Sequence, residues 1–339
     1  MARTGIRDVA SLAGVSHGTV SHYLNHPERV SQKLAERIQQ AIETLEFVPN
    51  NAGRQLRRGS STALAYIAPD VSNPYFASIA EGVEEQAAAR GFSVFIANSN
   101  RSRTREDAYL DLFQQHQVSG MLVASHEPIE DRLSVIRRRG TPSVLIGQAA
   151  VDPKQASVSV DDVMGGRLAA EHLVSVGRRR IAYVGGPLGV KQVGDRLDGA
   201  GGVLQATPGA VMEILTLTDR TIRGGRSVAR QILDRPDGYR PDGIFAANDL
   251  IALGLMHELV NAGVRIPEDI AVIGYDDIEF AAASIIPLSS IRSPHEGFGA
   301  TAVDLLVDSI ENPAAARHSV FQPELVARAS TVGAAAGRE

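Results

Sequence analysis

Two unlike folds are predicted in this chain, an all-α unit over residues 1–48 and an α/β body of two lobes over 62–331. Three observations predict them. Two short helical patterns before residue 25 are separated only by Gly14. From Thr62 onward, short apolar runs alternate with helical patterns, the signature of a parallel sheet wrapped by helices. Nine such runs are too many for one five- or six-stranded sheet, so two successive sheets are expected, with a cleft at the C-terminal ends of their strands.

In the head, Val9, Ala10 and Ala13 share one face of a helix starting near Ile6. Gly5 serves as its N-cap, and Asp8 lies in the first turn, where a carboxylate suits the helix dipole. Gly14 breaks that helix in a tight turn. Ser16 caps a second helix running to about Leu24, with Val20 and Leu24 inward. Asn25, His26 and Pro27 stop it. Ser31 caps a third helix, in which Leu34, Ile38, Ile42 and Leu45 recur at helical spacing. Three helices with a tight glycine turn form a helix-turn-helix unit. The outer face of the second helix is read as His17, Gly18, Ser21 and His22, with Thr19 near its start. Short hydrogen-bonding side chains of this kind suit base edges and phosphates, whereas a merely solvated face would carry Glu and Lys. A small helical bundle with no DNA role is the alternative.

Charge is distributed to match. The 339 residues carry a net charge of −5. Residues 1–60 hold eight Lys/Arg against five Asp/Glu, a net of +3, which leaves −8 for the remainder. A basic head on an acidic body fits a phosphate-facing module. Between them, residues 49–61 read as a hinge or a basic linker. Pro49 ends the third helix, Asn50 can cap a short new one, and Arg54, Arg57 and Arg58 surround Leu56.

The body's strand candidates are Ala63–Ala68, Ser93–Ala97, Gly120–Ala124, Ser143–Ile146, Ala156–Val160, Ile181–Val184, Glu213–Leu217, Gly243–Ala247 and Ile270–Tyr275. Helices such as Phe76–Arg90, Glu106–Gln115, Gly165–Val176, Gly225–Leu233 and Leu250–Asn261 intervene. Gly199–Gly202 is read as an irregular helix start or loop, and the tail 332–339 has no heptad. An α/β enzyme is the competing reading. It finds no Gly-x-Gly-x-x-Gly after the first strand, no phosphate loop, no nucleophile elbow and no His-Glu-x-x-His. No cofactor is expected. Absence of cysteine excludes disulfides and thiolate metal sites. No apolar run approaches the ~18 residues of a membrane helix, and residues 1–10 lack the apolar segment of a secretory signal. A cytoplasmic protein without membrane contact is expected, and a transport-type binding protein of similar body is disfavoured.

The string Ile6-Arg7-Asp8-Val9-Ala10-Ser11-Leu12-Ala13-Gly14-Val15-Ser16, followed by Thr19-Val20-Ser21 and Leu24-Asn25, resembles the DNA-binding head of the LacI–GalR family of bacterial regulators. So does Pro49-Asn50-Asn51-Ala52-Gly53-Arg54-Gln55-Leu56. In the body the resemblance continues through Pro69-Asp70-Val71-Ser72-Asn73-Pro74-Tyr75-Phe76, Val160-Asp161-Asp162, Phe245-Ala246-Ala247-Asn248-Asp249 and Gly274-Tyr275-Asp276-Asp277.

The resemblance implies a helix-turn-helix DNA-binding head plus a two-lobed, periplasmic-binding-protein-like (type I) effector domain. It implies a transcription regulator, usually a repressor, acting as a homodimer on pseudo-palindromic double-stranded operator DNA. A small-molecule effector, with a sugar as the leading candidate, would control it. DNA contacts implied by matched positions are Ser16, His17, Gly18, Thr19, Ser21, His22, Asn25, Asn50, Arg54 and Leu56, the last as a minor-groove wedge. Effector contacts so implied are Tyr75, Phe76, Gln148, Asp161, Arg196, Asn248 and Asp276. Asp249 and Asp277 are read as helix caps instead. His22 stands where most members have Arg, so the operator is expected to differ at the matching base. Ser293 departs from a common Gln, and the segment after Arg196 lacks the usual aromatic. A protein co-effector remains open beside the small molecule.

Overall fold

The computed structural model describes residues 4–47, 61–312 and 317–333. The chain divides into two compact units, Met1–Ser61 and Thr62–Glu339.

The first unit holds α1 (Ile6–Ala13), α2 (His17–Asn25) and α3 (Gln32–Thr44). Gly14 adopts a left-handed φ of 63° and closes α1, its N–H donating to the carbonyls of Ala10 and Ser11. That conformation is nearly free for glycine and costly for other residues. Asp8 reaches back to accept from the Gly5 N–H at 2.8 Å. Ser16 caps α2 by accepting from the Thr19 N–H at 3.0 Å. Ser31 occupies the N-cap position of α3, but its side chain makes no capping bond. Val9, Ala10, Ala13, Val20, Ile38, Ala41 and Phe47 form the core. Arg37 of α3 donates to the Ala13 carbonyl at 2.6 Å, tying the third helix to the turn between the first two.

The second unit is built on two sheets of six strands. In the first, β1 (Ala63–Ala68), β2 (Ser93–Asn98), β3 (Gly120–Ala124), β4 (Ser143–Ile146) and β5 (Ala156–Val160) are joined by the late strand β11 (His318–Phe321). Their order is β11-β5-β4-β3-β1-β2, and every pairing is parallel. In the second, β6 (Arg180–Gly185), β7 (Val211–Thr216), β8 (Gly243–Ala246), β9 (Ala271–Asp276) and β10 (Ser289–Arg292) are parallel. β12 (Glu324–Val326) adds antiparallel to β10, giving the order β12-β10-β9-β8-β6-β7. Parallel sheets are covered on both faces, which is why their strands read as continuous apolar runs. In β1, Leu64, Tyr66 and Ala68 enter one apolar layer while Ala65 and Ile67 enter the other.

Helices of the first lobe are α4 (Pro74–Ala89), α5 (Arg103–Gln115) and α6 (Glu130–Arg138). The second lobe has α7 (Asp162–Ser175), α8 (Lys191–Ala206), α9 (Ile222–Leu233), α10 (Asp249–Asn261) and the short α11 (Glu279–Ala283). After β10 the chain returns to lobe one as α12 (His295–Glu311), whose Phe298, Ala302, Val303 and Leu306 lie in that lobe's core. It crosses back between β11 and β12 and ends in α13 (Ala329–Val332). Three strand or helix connections therefore pass between the lobes.

Three sequence expectations need correction. β10, β11 and β12 were not foreseen, because they are only three or four residues long and contain Ser, Arg, His and Glu. Gly199–Gly202 is neither a loop nor a helix start but lies well inside α8. Close packing explains one of its glycines: a Cβ on Gly199 would lie 2.0 Å from the Val163 carbonyl oxygen. The same pair of helices needs Gly166, where a Cβ would meet the Arg196 carbonyl oxygen at 1.9 Å. Finally, Asp249 and Asp277 cap no helix. Asp249 is buried and accepts from the Ile278 N–H at 2.9 Å and the Ser290 hydroxyl at 2.7 Å. Asp277 pairs with Arg292 at 2.8 Å and Arg328 at 2.6 Å.

Candidate functional site

On the head, α2 presents Ser16, His17, Gly18 and His22 as exposed residues, with Thr19 half-buried. The hydroxyls of Ser16 and Thr19 lie 2.8 Å apart, which fixes the first turn. Ser21 departs from the expected outer face. It is 7% exposed, because it follows Val20 on the side of α2 that meets the core. Asn25 ends α2. Asn50, Arg54 and Leu56 lie outside the described residues.

In the body, the strand C-termini of both lobes converge on one cavity. Lobe one contributes Pro69 and Asp70 after β1, Asn73, Tyr75 and Phe76 at the start of α4, Arg101 after β2, and Ser125 and His126 after β3. Lobe two contributes Asp162, Gln192, Arg196, Arg220, Asn248 and Asp276. The cavity leaves about 60 Å³ to the centres of water-sized spheres, within about 740 Å³ of non-atom space that includes open solvent.

Arg196 organises the second-lobe wall. It projects from α8, donates to the Asp162 carboxylate at 2.8 Å and the Ala247 carbonyl at 2.6 Å, and lies 3.7 Å from Asp276. Its guanidinium sits 3.5 Å above the centre of the Tyr275 ring, within cation–π range. Asp276 is buried at the end of β9 with a φ of 102°, a conformation that costs a non-glycine residue energy. Burial pushes its carboxyl up to about 7, with Arg196 pulling the other way. Asp162 is raised for the same reason. Asn248 caps α10, accepting from the Ile251 N–H at 3.0 Å, while its amide faces the Arg220 carbonyl at 3.4 Å.

Three contacts bridge the lobes across the cleft. Arg220 donates to the His126 ring at 2.8 Å, Gln192 donates to the Gly147 carbonyl at 2.9 Å, and Arg101 lies 3.8 Å from Asp219. Burial, with Arg220 close behind, lowers the His126 imidazole to about 3, so it is neutral at pH 7. The Phe76 ring stands edge-on to Tyr75 at 5.1 Å and to His126 at 5.9 Å.

Of the residues implied by resemblance, Tyr75, Phe76, Arg196, Asn248 and Asp276 line this cavity. Asp161 does not. Its carboxylate accepts from the Met164 N–H at 2.9 Å and caps α7, and the next residue, Asp162, takes the place on the wall. Gln148 does not line it either. Gly147, with a φ of 86°, turns the chain, and Gln148 donates to the Ser125 carbonyl at 3.2 Å beside a separate, more open depression. Sequence reasoning missed Asp70, Arg101, His126, Asp162, Gln192 and Arg220. All but Gln192 and Asp162 sit in loops, where no periodic pattern marks them.

Comparison with known proteins agrees with this fold. Residues 5–50 match the family model described as bacterial regulatory proteins, lacI family, and residues 170–331 match a periplasmic binding protein-like domain. The ribose operon repressor of Escherichia coli (strain K12) is 32% identical over 91% of this chain and 93% of its own. A structure of the lac repressor dimer bound to operator and the anti-inducer ONPF superposes with a TM-score of 0.84 at 27% identity, over 97% of this chain and 99% of that one. A LacI family transcriptional regulator from Enterococcus faecium with bound ribose does so with a TM-score of 0.69 at 27% identity, over 79% and 98%. Head, two-lobed body and near full-length similarity together place this chain in the LacI family of bacterial transcriptional regulators.

Proposed function

We propose that the chain is a repressor whose hold on a pseudo-palindromic operator is set by a small, polyhydroxylated molecule bound between the lobes. The observation that carries this is the ionic wall of Asp162, Arg196 and Asp276 facing the aromatic wall of Tyr75 and Phe76 across one cavity. A wall of fixed carboxylates and a guanidinium offers paired donors and acceptors to hydroxyls, and an aromatic edge covers the apolar face of a ring.

The rest of the mechanism follows from elementary energetics. One head makes too few phosphate contacts for tight binding, so two copies pair to present two α2 helices to successive major grooves, roughly 34–36 Å apart. Phe95 and Ile96 on edge strand β2 are about half exposed, an apolar surface of lobe one suited to that pairing. His17 and His22 reach base edges, Ser16 and Thr19 reach phosphates, and Asn50, Arg54 and Leu56 act in the segment between the units. Ligand that favours one degree of lobe closure shifts the population competent to hold both half-sites.

Selection of bound duplexes from a random pool tests the reading. A recovered motif with two-fold symmetry supports it, and unselective recovery overturns it. Within that motif, His22→Ala is expected to relax preference at one symmetric base pair, by about 1 kcal/mol, the scale of a single hydrogen bond.

A further inference from the structure

The cavity's charges do not pair evenly. Arg196 is matched by Asp162 and Asp276, at 2.8 and 3.7 Å. Arg101 is near Asp70 at 3.6 Å and Asp219 at 3.8 Å, both beyond hydrogen-bond length. Arg220 has no carboxylate within ion-pair distance among the described residues. Its guanidinium meets the Gly186 carbonyl at 3.2 Å and the His126 ring at 2.8 Å, both uncharged acceptors. A guanidinium carries five N–H donors, so most of those on Arg220 have no acceptor among the described residues. Arginine presents them as a planar fork that matches a carboxylate or phosphate with two parallel bonds.

Such a cation is costly to keep half-buried. Burial, together with Arg196 and Arg101, lowers the Arg220 guanidinium to about 10, a direction that a bound anion would reverse. Asp276 acts on Arg220 electrostatically without forming an ion pair with it, and burial raises the carboxyls of both Asp276 and Asp162.

We infer that the effector is an anionic sugar derivative, a sugar acid or a sugar phosphate, whose charged group sits on Arg220 beside Arg101 and His126 while its hydroxyls face Asp276 and Asn248. This rests on the proposed effector role of the cleft and narrows its ligand class. Because Arg220 also bridges to His126, the anion would bind at the contact that links the lobes, and so would act on closure directly.

Calorimetric titration of the full-length protein with matched triplets tests it: ribose, ribonate and ribose 5-phosphate, then glucose, gluconate and glucose 6-phosphate. The expected result is that one anionic member binds at least about tenfold more tightly than its neutral parent, as charge-assisted bonds allow, and that this advantage shrinks as salt is raised. Whether the carboxylate or the phosphate arm wins identifies the anion. In Arg220→Gln the advantage should fall to about threefold or less, and Arg220→Lys should retain part of it. Should Arg220→Gln fail to melt cooperatively, the wild-type triplets and their salt dependence still decide. Equal or tighter binding of the neutral sugars, or an anion preference that survives in Arg220→Gln, overturns the inference. If a neutral sugar binds and alters operator affinity, the regulator reading stands and only the anion assignment falls. If no triplet member binds, both readings of the cleft lose their support.

Discussion

The two walls of the cleft are built on different physics. Lobe two meets the cavity with Asp162, Arg196, Asn248 and Asp276, all held from strand ends or helices; Arg196 links Asp162, the Ala247 carbonyl and Asp276, while Asn248 caps α10. Lobe one meets it with Tyr75, Phe76, Asn73 and loop residues Asp70, Arg101 and His126. The first wall is a preorganised ionic network whose parts are needed for the fold itself. The second is an aromatic and loop surface in which Tyr75 and Asn73 are buried but Phe76 is only partly so. A site so divided can bind on the rigid wall and register closure through the other.

Removing the centre of the rigid wall should have the largest effect. Arg196→Leu leaves Asp162 and Asp276 buried without their cation, and a stability loss of about 3–5 kcal/mol is expected in urea unfolding. A loss under about 1 kcal/mol would show that the network is not structural.

Asp276→Asn comes next and has a pH signature. Since burial raises the Asp276 carboxyl from 3.8 to about 7, the folded protein holds a proton there that the unfolded chain has released between those values. Its contribution to stability is therefore full below about pH 4 and is lost as pH rises through 7. His126, lowered to about 3, slopes the other way between about 3 and 6.5, but it is common to both proteins and cancels. Asp276→Asn should gain on the wild type by a few kcal/mol between pH 4.5 and 7.5, measured by urea midpoints. A pH-independent difference would contradict the raised carboxyl.

The smallest effect on stability is expected from lobe one. Phe76 is only partly buried and packs edge-on to Tyr75 and His126. Phe76→Ala should cost about 1 kcal/mol of stability or less, while weakening ligand binding about tenfold. A stability loss as large as that of Arg196→Leu would erase the distinction between the walls.

How much of this was legible beforehand followed the strength of the local signal. β1 and β3 stand out because strands buried on both faces are unbroken apolar runs, while β4 opens on Ser143 and β5 alternates serine with apolar residues. β10 to β12 are three or four residues long and each carries at least one polar or charged residue, and β11 and β12 are defined by pairing with strands distant in sequence. Helix α8 hid behind its glycines, of which Gly199 has a packing role that shows only against Val163 and Arg167. In the cleft, helix starts and strand ends were accessible through matched motifs, and so Tyr75, Arg196 and Asp276 were found. Asp161 and Asp162 show the limit. A one-residue step exchanges a cap for a cavity-facing carboxylate, and sequence alone does not settle which is which. Arg220 and His126 lie in loops about ninety residues apart, and only the closing of two lobes brings them together.

The account stands or falls on coupled heads. Fluorescence anisotropy, with the selected palindrome and its isolated half-site titrated in parallel at low ionic strength, measures this directly. The expected result is that the full palindrome binds at least about a hundredfold more tightly than the half-site, and that a cleft ligand changes the first affinity without moving the second. Equal affinity for palindrome, half-site and unrelated duplex, unaltered by any cleft ligand, would contradict it.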